Sequence, residues 1–277
     1  MQEWARDQVG QLHELVATCL PGEDLSEDEL VACCWDDPGV VLALDTGDGA
    51  VAAVARGATG FIKVLAVAPH ARRLGHGRAL VTAAENWARA AGCTRMIPGP
   101  SAPFYLWPGV DLRWTAALVL FESAGYRAEG AEVNMSCPTS HRAGTPPGLA
   151  VRRVIEDDDA AAVTAFCAAH FPHWVSELER GIEHAACLVA HDDATGAVVG
   201  FCCHSVNRAG WLGPMATDPA RRGGGIGAAL LGAACRDLRA AGHADAEIAW
   251  VGPVGFYAKA AGATVSRVFR TAVKPLA

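Results

Sequence analysis

An internal repeat limits what this chain can fold into more than any other feature of its sequence. Residues 68–92, APHARRLGHGRALVTAAENWARAAG, match residues 218–242, DPARRGGGIGAALLGAACRDLRAAG, at a constant offset of 150. The match pairs Arg72 with Arg222 and extends over a glycine-rich loop and a whole helical stretch. Self-similarity over this length indicates two copies of one structural unit. A chain of 277 residues has room for two small domains, each with its own core.

The segment between the two copies predicts a linker. Its sequence, SCPTSHRAGTPPG at residues 136–148, is rich in proline, glycine and small polar residues. Such a composition disfavours helices and central strands. We therefore expect a first domain at residues 1–137, a linker at 138–149 and a second domain at 150–277.

Short runs rich in valine and alanine predict the strands of both domains. In the first domain these runs lie at residues 41–57 and 61–68. The second domain opens with VRRV at 151–154, followed by a predicted helix at 158–170. The first domain instead opens with a predicted helix at 2–19, and we find no strand before it that would match VRRV. We therefore expect the first domain to lack its first strand.

The bulk composition argues against several classes of protein. Apolar residues make up 51% and charged residues 19% of the chain, which is typical of a globular protein and not of a disordered one. The net charge of −7 argues against binding of nucleic acid or of an anionic membrane surface. The ten cysteines form no CxxC pair, so we interpret them as buried free thiols. We expect a cytoplasmic protein with neither a signal peptide nor a membrane-spanning segment.

A strand, a proline, an arginine- and glycine-rich loop and a long helix follow one another in both copies. The helices are predicted to begin near Arg78 and Ala228. Free backbone N–H groups and the positive end of the helix meet at such a loop, which makes it a site for phosphate. The spacing is neither the GxxxxGK[ST] of P-loop nucleotide hydrolases nor the GxGxxG of dinucleotide-binding folds with its downstream acidic residue. Kinase and dehydrogenase functions are therefore not favoured.

The remaining pattern is R-x-x-G-x-G, written RRLGHG in the first copy and RGGGIG in the second. It resembles the pyrophosphate loop of the GCN5-related N-acetyltransferase (GNAT) superfamily. The resemblance implies an α/β (α+β) fold with two tandem domains, each a mixed, largely antiparallel sheet flanked by helices. It also implies acetyl-CoA as co-substrate and no metal. The residues that it assigns to the coenzyme are Leu65, Ala66, Val67, Arg72, Arg73, Gly75, His76, Gly77 and Arg78 in the first copy, and Met215, Ala216, Thr217, Arg222, Gly223, Gly224, Gly225, Ile226, Gly227 and Ala228 in the second.

The resemblance also assigns catalysis to the second domain. Members of the superfamily usually carry a tyrosine on the helix after the fifth strand, where it protonates the departing thiolate. Tyr257 stands there in the second copy, whereas alignment of the following glycines places Leu120 opposite it in the first. Packing of Tyr257 in a core is the alternative interpretation. For the base that accepts the amine proton, alternation along the fifth strand places Asp245 and Glu247 on one face, although both are also compatible with solvated edge carboxylates.

The acceptor is expected to be a small molecule with a primary amine, such as an amino sugar. The segment at 171–184 lies where the resemblance places the acceptor pocket, and the residues expected to bind the acceptor are Trp174, Glu177, Glu183 and Trp250. A plain amphipathic helix would contain similar residues. The first copy carries about thirteen extra residues, including an aromatic-rich insertion at 100–114, for which we favour interface packing over a role in lining a pocket.

Two other functions remain open at this stage. One is chemistry like that of mycothiol synthase, which is also a tandem protein, on a thiol-sugar precursor. The other is a non-catalytic acyl-CoA sensor that keeps the loops and turns over no acceptor. Acceptor-dependent release of CoA separates both enzymes from the sensor.

Overall fold

The computed structural model, which describes residues 1–276, contains two compact units. Unit 1 comprises Met1–Glu132 together with the chain from Arg267 onwards, and unit 2 comprises Val133–Ser266. These units differ from the predicted boundaries at residues 137 and 150, because the chain passes from one unit to the other inside two long strands. The segment predicted as a linker lies within unit 2.

The first half of the chain contains seven strands and four α-helices among the described residues. In chain order these are β1 (Gln2–Glu3), α1 (Val9–Cys19), α2 (Glu27–Val31), β2 (Gly39–Ala43), β3 (Gly49–Arg56), β4 (Thr59–Val67), α3 (His76–Ala90), β5 (Arg95–Pro98), β6 (Val110–Asp111), α4 (Thr115–Ser123) and β7 (Arg127–Pro138). The second half continues with β8 (Leu149–Arg153), α5 (Asp157–His170), α6 (Val175–Glu183), β9 (Cys187–Asp192), β10 (Val198–His204), β11 (Trp211–Thr217), α7 (Ile226–Ala240), β12 (Asp245–Ile248), α8 (Val254–Ala261) and β13 (Thr264–Pro275).

Each unit is built on a mixed sheet, as the sequence predicts. In unit 1 the strands follow the order β1-β2-β3-β4-β5, and the end of β13 pairs with β5. In unit 2 the end of β7 is followed by β12, β11, β10, β9 and β8. The pairs β4–β5 and β11–β12 are parallel, and the other pairs named here are antiparallel. The 15-residue helices α3 and α7 connect the two strands of each parallel pair, as parallel connections require.

Two expectations for the first half need correction or refinement. A strand does precede the first helix: β1 pairs with β2 through Gln2 and Glu3. With only two residues, it has no alternation of apolar and polar side chains from which a strand could be predicted. The predicted helix at 2–19 begins only at Val9, after a 3₁₀ turn. Within residues 1–276, no helix is long and apolar enough to cross a membrane.

Helices cover both faces of each sheet. In unit 2, α7 and α8 pack on one face together with Leu212 and Ile248, whereas α5 and α6 pack on the other face with Phe201 and Cys203. Unit 1 repeats this layering, with α3 and α4 on one face and α1 and α2 on the other. Leu106 of the aromatic-rich insertion belongs to the core on the α1–α2 side.

A buried ionic network attaches β13 to unit 1. The guanidinium group of Arg267 donates to both carboxylate oxygens of Glu23, at 2.6 and 3.1 Å, and to Asp111 at 2.8 Å. Trp107 also donates to Glu23. Burial alone would raise the pKa of Asp111, but the bonds from Arg113 and Arg267 lower it below its ordinary value. The network therefore joins the last strand of the chain to its first 111 residues through paired charges.

Removing the cation at the centre of this network should destabilise the protein strongly. In Arg267→Ala, Glu23 and Asp111 would remain buried without their main counter-charge, and we expect a loss of about 3–5 kcal/mol in the free energy of unfolding. Arg270→Ala, at an exposed position on the same strand, is the matched control and should change it by less than about 0.5 kcal/mol. Urea unfolding measures both variants, and equal losses would contradict the role of the network.

Candidate active site

The two strands of each parallel pair separate part-way along their length. In unit 2, β11 pairs with β12 only at Trp211 and Leu212, and β11 then continues beside β10 to Thr217. In unit 1, β4 pairs with β5 up to Ile62 and continues beside β3 to Val67. Each separation creates a notch in the sheet, where backbone groups of the longer strand are available to a ligand. The predicted residues Leu65, Ala66 and Val67 lie along the notch of unit 1, and Met215, Ala216 and Thr217 lie along that of unit 2.

The glycine loops follow directly after these strands. Gly75 and Gly225 are the N-cap residues of α3 and α7, with φ angles of 88° and 82°. An L-residue with a side chain rarely adopts this conformation, which explains why both loops carry glycine here. The first N–H groups of a helix have no carbonyl partner within the helix, so each loop offers several donors and the positive helix end to an anion. The helices begin two residues earlier than predicted, at His76 and Ile226.

The arginines of the two loops differ in their contacts. The Nε atom of Arg72 donates to the carbonyl oxygen of Val67 at 2.9 Å, so this side chain braces the end of β4. Arg78 donates to the backbone carbonyl of Ser123, next to the C-terminal end of α4. Arg73 adopts a positive φ of 66° and, like Arg222, is exposed. Arg72 and Arg78 thus have structural contacts, and Arg222 has an accessible charge beside its loop.

A β-bulge marks the notch in both units, and the residues at the bulge differ. The register of β4 against β3 shifts at Lys63, and the register of β11 against β10 shifts at the equivalent Gly213. Apart from its two chain neighbours, no described residue has a heavy atom within 4 Å of a Cβ placed on Gly213. The notch of unit 2 is therefore open at the position where unit 1 carries a lysine side chain.

Lys63 fills its own notch and is buried there. Its ammonium group donates to the carboxylate of Asp37 and to the carbonyl oxygen of Cys33. Arg56 donates to the same carboxylate, and the Lys63 Nζ atom lies 5.8 Å from the ring centre of Phe104 in the aromatic-rich insertion. Buried charges that are paired in this way are costly to disturb. A closed ionic cluster thus occupies the α1–α2 side of the notch in unit 1.

Tyr257 is buried on the α7–α8 face of the sheet in unit 2. It belongs to the apolar cluster that contains Leu212 and Ile248, the last paired residues of β11 and β12. Burial chiefly, together with the thiols of Cys202 and Cys137, raises the pKa of its phenol above the ordinary value. The hydroxyl group is therefore protonated at neutral pH, as a proton donor must be.

Helix packing corrects the alignment of Tyr257 with the first copy. The side chain of Phe256 contacts Gly227 of α7, and in unit 1 it is Leu120 that contacts Gly77 of α3. The residue after Leu120 is Phe121, so the counterpart of Tyr257 is Phe121 and not Leu120. Phe121 is buried in the equivalent cluster and has no hydroxyl group. The conclusion that the first copy lacks a tyrosine here is unchanged.

Glu247 and Asp245 lie on the same face of β12 but at different distances from the notch. Glu247 pairs with Trp211 in the sheet, next to the last pair before the strands separate. Its carboxylate accepts hydrogen bonds from the indole nitrogen of Trp211, at 3.2 Å, and from Asn134. Asp245 lies two residues earlier, at the start of β12, and is exposed. Of the two carboxylates, only Glu247 lies beside the notch.

The predicted acceptor-binding residues differ in their exposure. Glu177 lies on the buried face of α6 and accepts a hydrogen bond of 3.4 Å from Asn207. Trp174 is half-buried and stacks on Phe171 with ring centres 5.5 Å apart. Glu183 is exposed at the end of α6. Trp250 is half-buried, adopts a positive φ of 50°, and donates its backbone N–H to Asn134 at 2.9 Å.

Three residues beside the notch of unit 2 are not predicted from the sequence, namely Asn134, Trp211 and Gly213. Asn134 bonds to both Glu247 and Trp250, but it precedes the predicted linker and was therefore assigned to the other domain. The alignment of the repeats at an offset of 150 places Gly213 opposite Lys63. That difference is the sequence signal that the notch of unit 2 is open and that of unit 1 is filled.

Models of known protein families match both halves of the chain. A model described as "Acetyltransferase (GNAT) family" matches residues 9–105, and one described as "Acetyltransferase (GNAT) domain" matches residues 183–260. Together they cover both notches and both glycine loops. No match was found among curated protein sequences.

Solved structures share the fold over 99% of this chain. A GCN5-related glucosamine N-acetyltransferase region of a fungal multi-domain GH3 beta-N-acetylglucosaminidase has a TM-score of 0.77 at 19% identity, and the chain spans 38% of that protein. A tandem GNAT protein from the clavulanic acid biosynthesis pathway has a TM-score of 0.76 at 18% identity, with 98% of its chain covered. A GCN5-related N-acetyltransferase from Sphaerobacter thermophilus has a TM-score of 0.74 at 20% identity, with 95% covered. At these identities the similarity shows the fold alone.

The buried carboxyl group of Glu177 should make stability depend on pH. Burial raises its pKa to about 7 from an ordinary value of 4.5, against opposing effects of Arg180 and Asn207. Between these values the folded state binds more protons than the unfolded state, so this group's contribution to stability falls as the pH rises. Glu177→Gln removes the ionisation, and we expect it to gain on the order of 2 kcal/mol over the wild type between pH 5 and pH 8.

Thermal unfolding across this pH range measures the difference between the two proteins. Glu179→Gln, at an exposed position on the same helix, is the control, and a gain of equal size in that variant would show that the effect does not belong to Glu177. A difference for Glu177→Gln that does not grow with pH would contradict the assignment.

Proposed function

Because the chain belongs to the GNAT acetyltransferase family and carries two of its domains in tandem, we propose that it uses acetyl-CoA to acetylate the primary amine of a small molecule, and that unit 2 is the catalyst. The observation that carries this proposal is the difference at the β-bulge. Gly213 leaves the notch of unit 2 open, whereas Lys63 and Asp37 fill that of unit 1. An acceptor amine needs free space beside the thioester, and only the second notch offers it at this position.

The backbone of unit 2 fits the coenzyme. The N–H groups at the start of α7 and the αL conformation of Gly225 suit the diphosphate, with no Cβ in its way. The edge of β11 from Met215 to Thr217 suits the amide groups of the pantetheine arm, which would extend the sheet in place of β12. Acetyl-CoA supplies an activated acyl group as a thioester. We propose a coenzyme site of this kind in both units, because unit 1 has the same backbone features.

Two side chains on opposite faces of the sheet carry out the proton transfers of the reaction: one accepts a proton and the other donates one. Glu247, held by Trp211 and Asn134, accepts the proton of the acceptor's ammonium group directly or through a water molecule. The free amine then attacks the thioester carbonyl, and the carbon–sulfur bond breaks. Tyr257 donates its phenolic proton to the departing thiolate from the α7–α8 side, and the second proton that the nitrogen loses as it becomes an amide restores the phenol. The separation of β11 and β12 lets the two groups act on one reaction centre.

For the acceptor we propose an amino sugar such as glucosamine. Trp174 offers an indole ring of the kind that packs against sugar rings, and Glu177 and Glu247 offer oxygens for hydroxyl and ammonium hydrogens. The fungal structural neighbour is described as a glucosamine N-acetyltransferase region. We place the binding of the acceptor on the α5–α6 side of the notch, where Glu177 is buried. Glu183 and Asp245, both exposed, have outer positions in this arrangement.

We propose a cytoplasmic location as well. All ten cysteines are free, and all except the half-buried Cys19 are buried. Cys137 and Cys235 approach each other to 4.0 Å between sulfur atoms without forming a disulfide. Free thiols in this number are typical of a reducing compartment.

The test is the release of CoA from acetyl-CoA in the presence of candidate acceptors. We expect release of CoA with glucosamine, and no release with acceptors whose amine is already acetylated. Stronger release with a thiol-bearing sugar amine would favour chemistry like that of mycothiol synthase. Absence of release with every amine, together with tight acetyl-CoA binding, would replace the enzyme with an acyl-CoA-binding protein.

A single variant, Tyr257→Phe, tests the proposed role of Tyr257. Tyr257→Phe keeps the ring and removes the proton, so we expect turnover to fall by about 10²-fold while CoA affinity changes little. Tyr126→Phe, which removes a buried hydroxyl group from unit 1, is the matched control and should keep full turnover. Initial rates and calorimetric titration with CoA measure the two effects. Unchanged turnover in Tyr257→Phe would make this residue structural.

A further inference from the structure

The connecting segment, residues 139–148, lies along the whole length of α7 within unit 2. At its start, the Thr139 hydroxyl lies 2.7 Å from the carbonyl oxygens of His243 and Ala244, just beyond the C-terminal end of the helix. Its middle, at Ala143, lies against Gly232 of α7. Its end, at Pro146, lies against Gly225, the N-cap residue of the same helix. The segment therefore runs from one end of α7 to the other and ends at the glycine loop.

This close approach requires a glycine in the middle of α7. A Cβ atom on Gly232 would lie 2.9 Å from the backbone nitrogen of Ala143 and 3.2 Å from its Cβ. Glycine in a helix interior costs about 1 kcal/mol relative to alanine, so its presence here fits a packing need. In α3 of unit 1 the equivalent position is Thr82, and its side chain is exposed. The sequence thus differs between the two helices at the place where the segment lies on α7.

The end of the segment borders the second coenzyme loop. A Cβ atom on Gly225 would lie 3.0 Å from the Cγ atom of Pro146, whereas around the same position on Gly75 no described heavy atom lies within 4 Å. Two consecutive prolines, Pro146 and Pro147, fix φ and limit the freedom of this part of the chain. The connecting segment therefore forms a wall beside the loop of unit 2. In the described part of the chain, the loop of unit 1 has no such wall at the equivalent position.

We propose that the connecting segment forms one side of the coenzyme site of unit 2, and that the nucleotide end of a CoA thioester packs against it. This inference rests on the proposed binding of CoA at the N-terminus of α7. Its two prolines restrict the wall before binding, so less conformational entropy is lost when the nucleotide docks. It makes the two loops unequal: CoA binds unit 2 with an additional contact surface that unit 1 lacks.

The first experiment displaces the segment without touching the loop. Gly232→Leu places a side chain where Ala143 lies, and Thr82→Leu is the matched control at the exposed, equivalent position of α3. Calorimetric titration with CoA gives the number of sites and the affinity of each. We expect Gly232→Leu to weaken one site at least tenfold and Thr82→Leu to leave every site unchanged. Unchanged binding in a folded Gly232→Leu would overturn the inference.

A second experiment uses the wild-type chain, so its outcome is independent of whether Gly232→Leu folds. Arg142 is exposed within the segment and offers trypsin a cleavage site near the middle of the chain. We expect saturating CoA to slow cleavage after Arg142 at least tenfold, with no effect on cleavage after the exposed Arg6. Binding of CoA with unchanged cleavage after Arg142 would overturn this inference alone. A chain that binds no CoA would overturn the proposed function together with it.

Discussion

The separation of one parallel strand pair in each unit is the constraint on which the rest of the site depends. Because β11 leaves β12 after Leu212, its backbone toward Thr217 is available on that edge, and the same strand leads directly into the N-terminus of α7. A single backbone arrangement therefore provides hydrogen-bonding groups for an extended arm and donors for its diphosphate. Unit 1 repeats this arrangement with β4, β5 and α3. In the proposed function, coenzyme recognition therefore resides mainly in main-chain geometry, which both units have.

Side chains at the notch distinguish the two units. Unit 1 places Lys63 at the bulge and binds its ammonium group to Asp37, and it carries Phe121 where unit 2 has Tyr257. Unit 2 has Gly213 at the bulge, a carboxylate at Glu247 and the phenol of Tyr257. The notch of unit 1 holds an ion cluster on one side of the sheet and Phe121 on the other. The notch of unit 2 has open space at Gly213 beside Glu247, and Tyr257 on the opposite face. In the proposed function, both units bind a CoA thioester and only unit 2 transfers an acyl group.

Local features of this fold could be predicted from the sequence, and pairings between distant segments could not. The glycine loops and the 15-residue helices follow from residue types and spacing within about 25 residues, and the structure contains them within two residues of the predicted starts. The sequence does not predict that the end of β7 lies in unit 2 or that the end of β13 lies in unit 1. The pairing of β7 with β12, or of β13 with β5, leaves no local pattern in either strand. Asn134 was therefore assigned to the first domain although it bonds to Glu247. Alignment by the following glycines pairs Leu120 with Tyr257, and this pairing is wrong because it ignores how each helix packs.

The central claim is that acyl transfer takes place in unit 2, and the two glycine loops allow it to be tested directly. Gly75 and Gly225 have the same conformation, so Gly75→Trp and Gly225→Trp place the same strained side chain beside each loop in turn. The measurement is the acceptor-dependent rate of CoA release by both variants. We expect Gly225→Trp to lose release of CoA by at least about 10²-fold and Gly75→Trp to retain most of it. Loss of release in Gly75→Trp with full release in Gly225→Trp would contradict the account and move catalysis to unit 1.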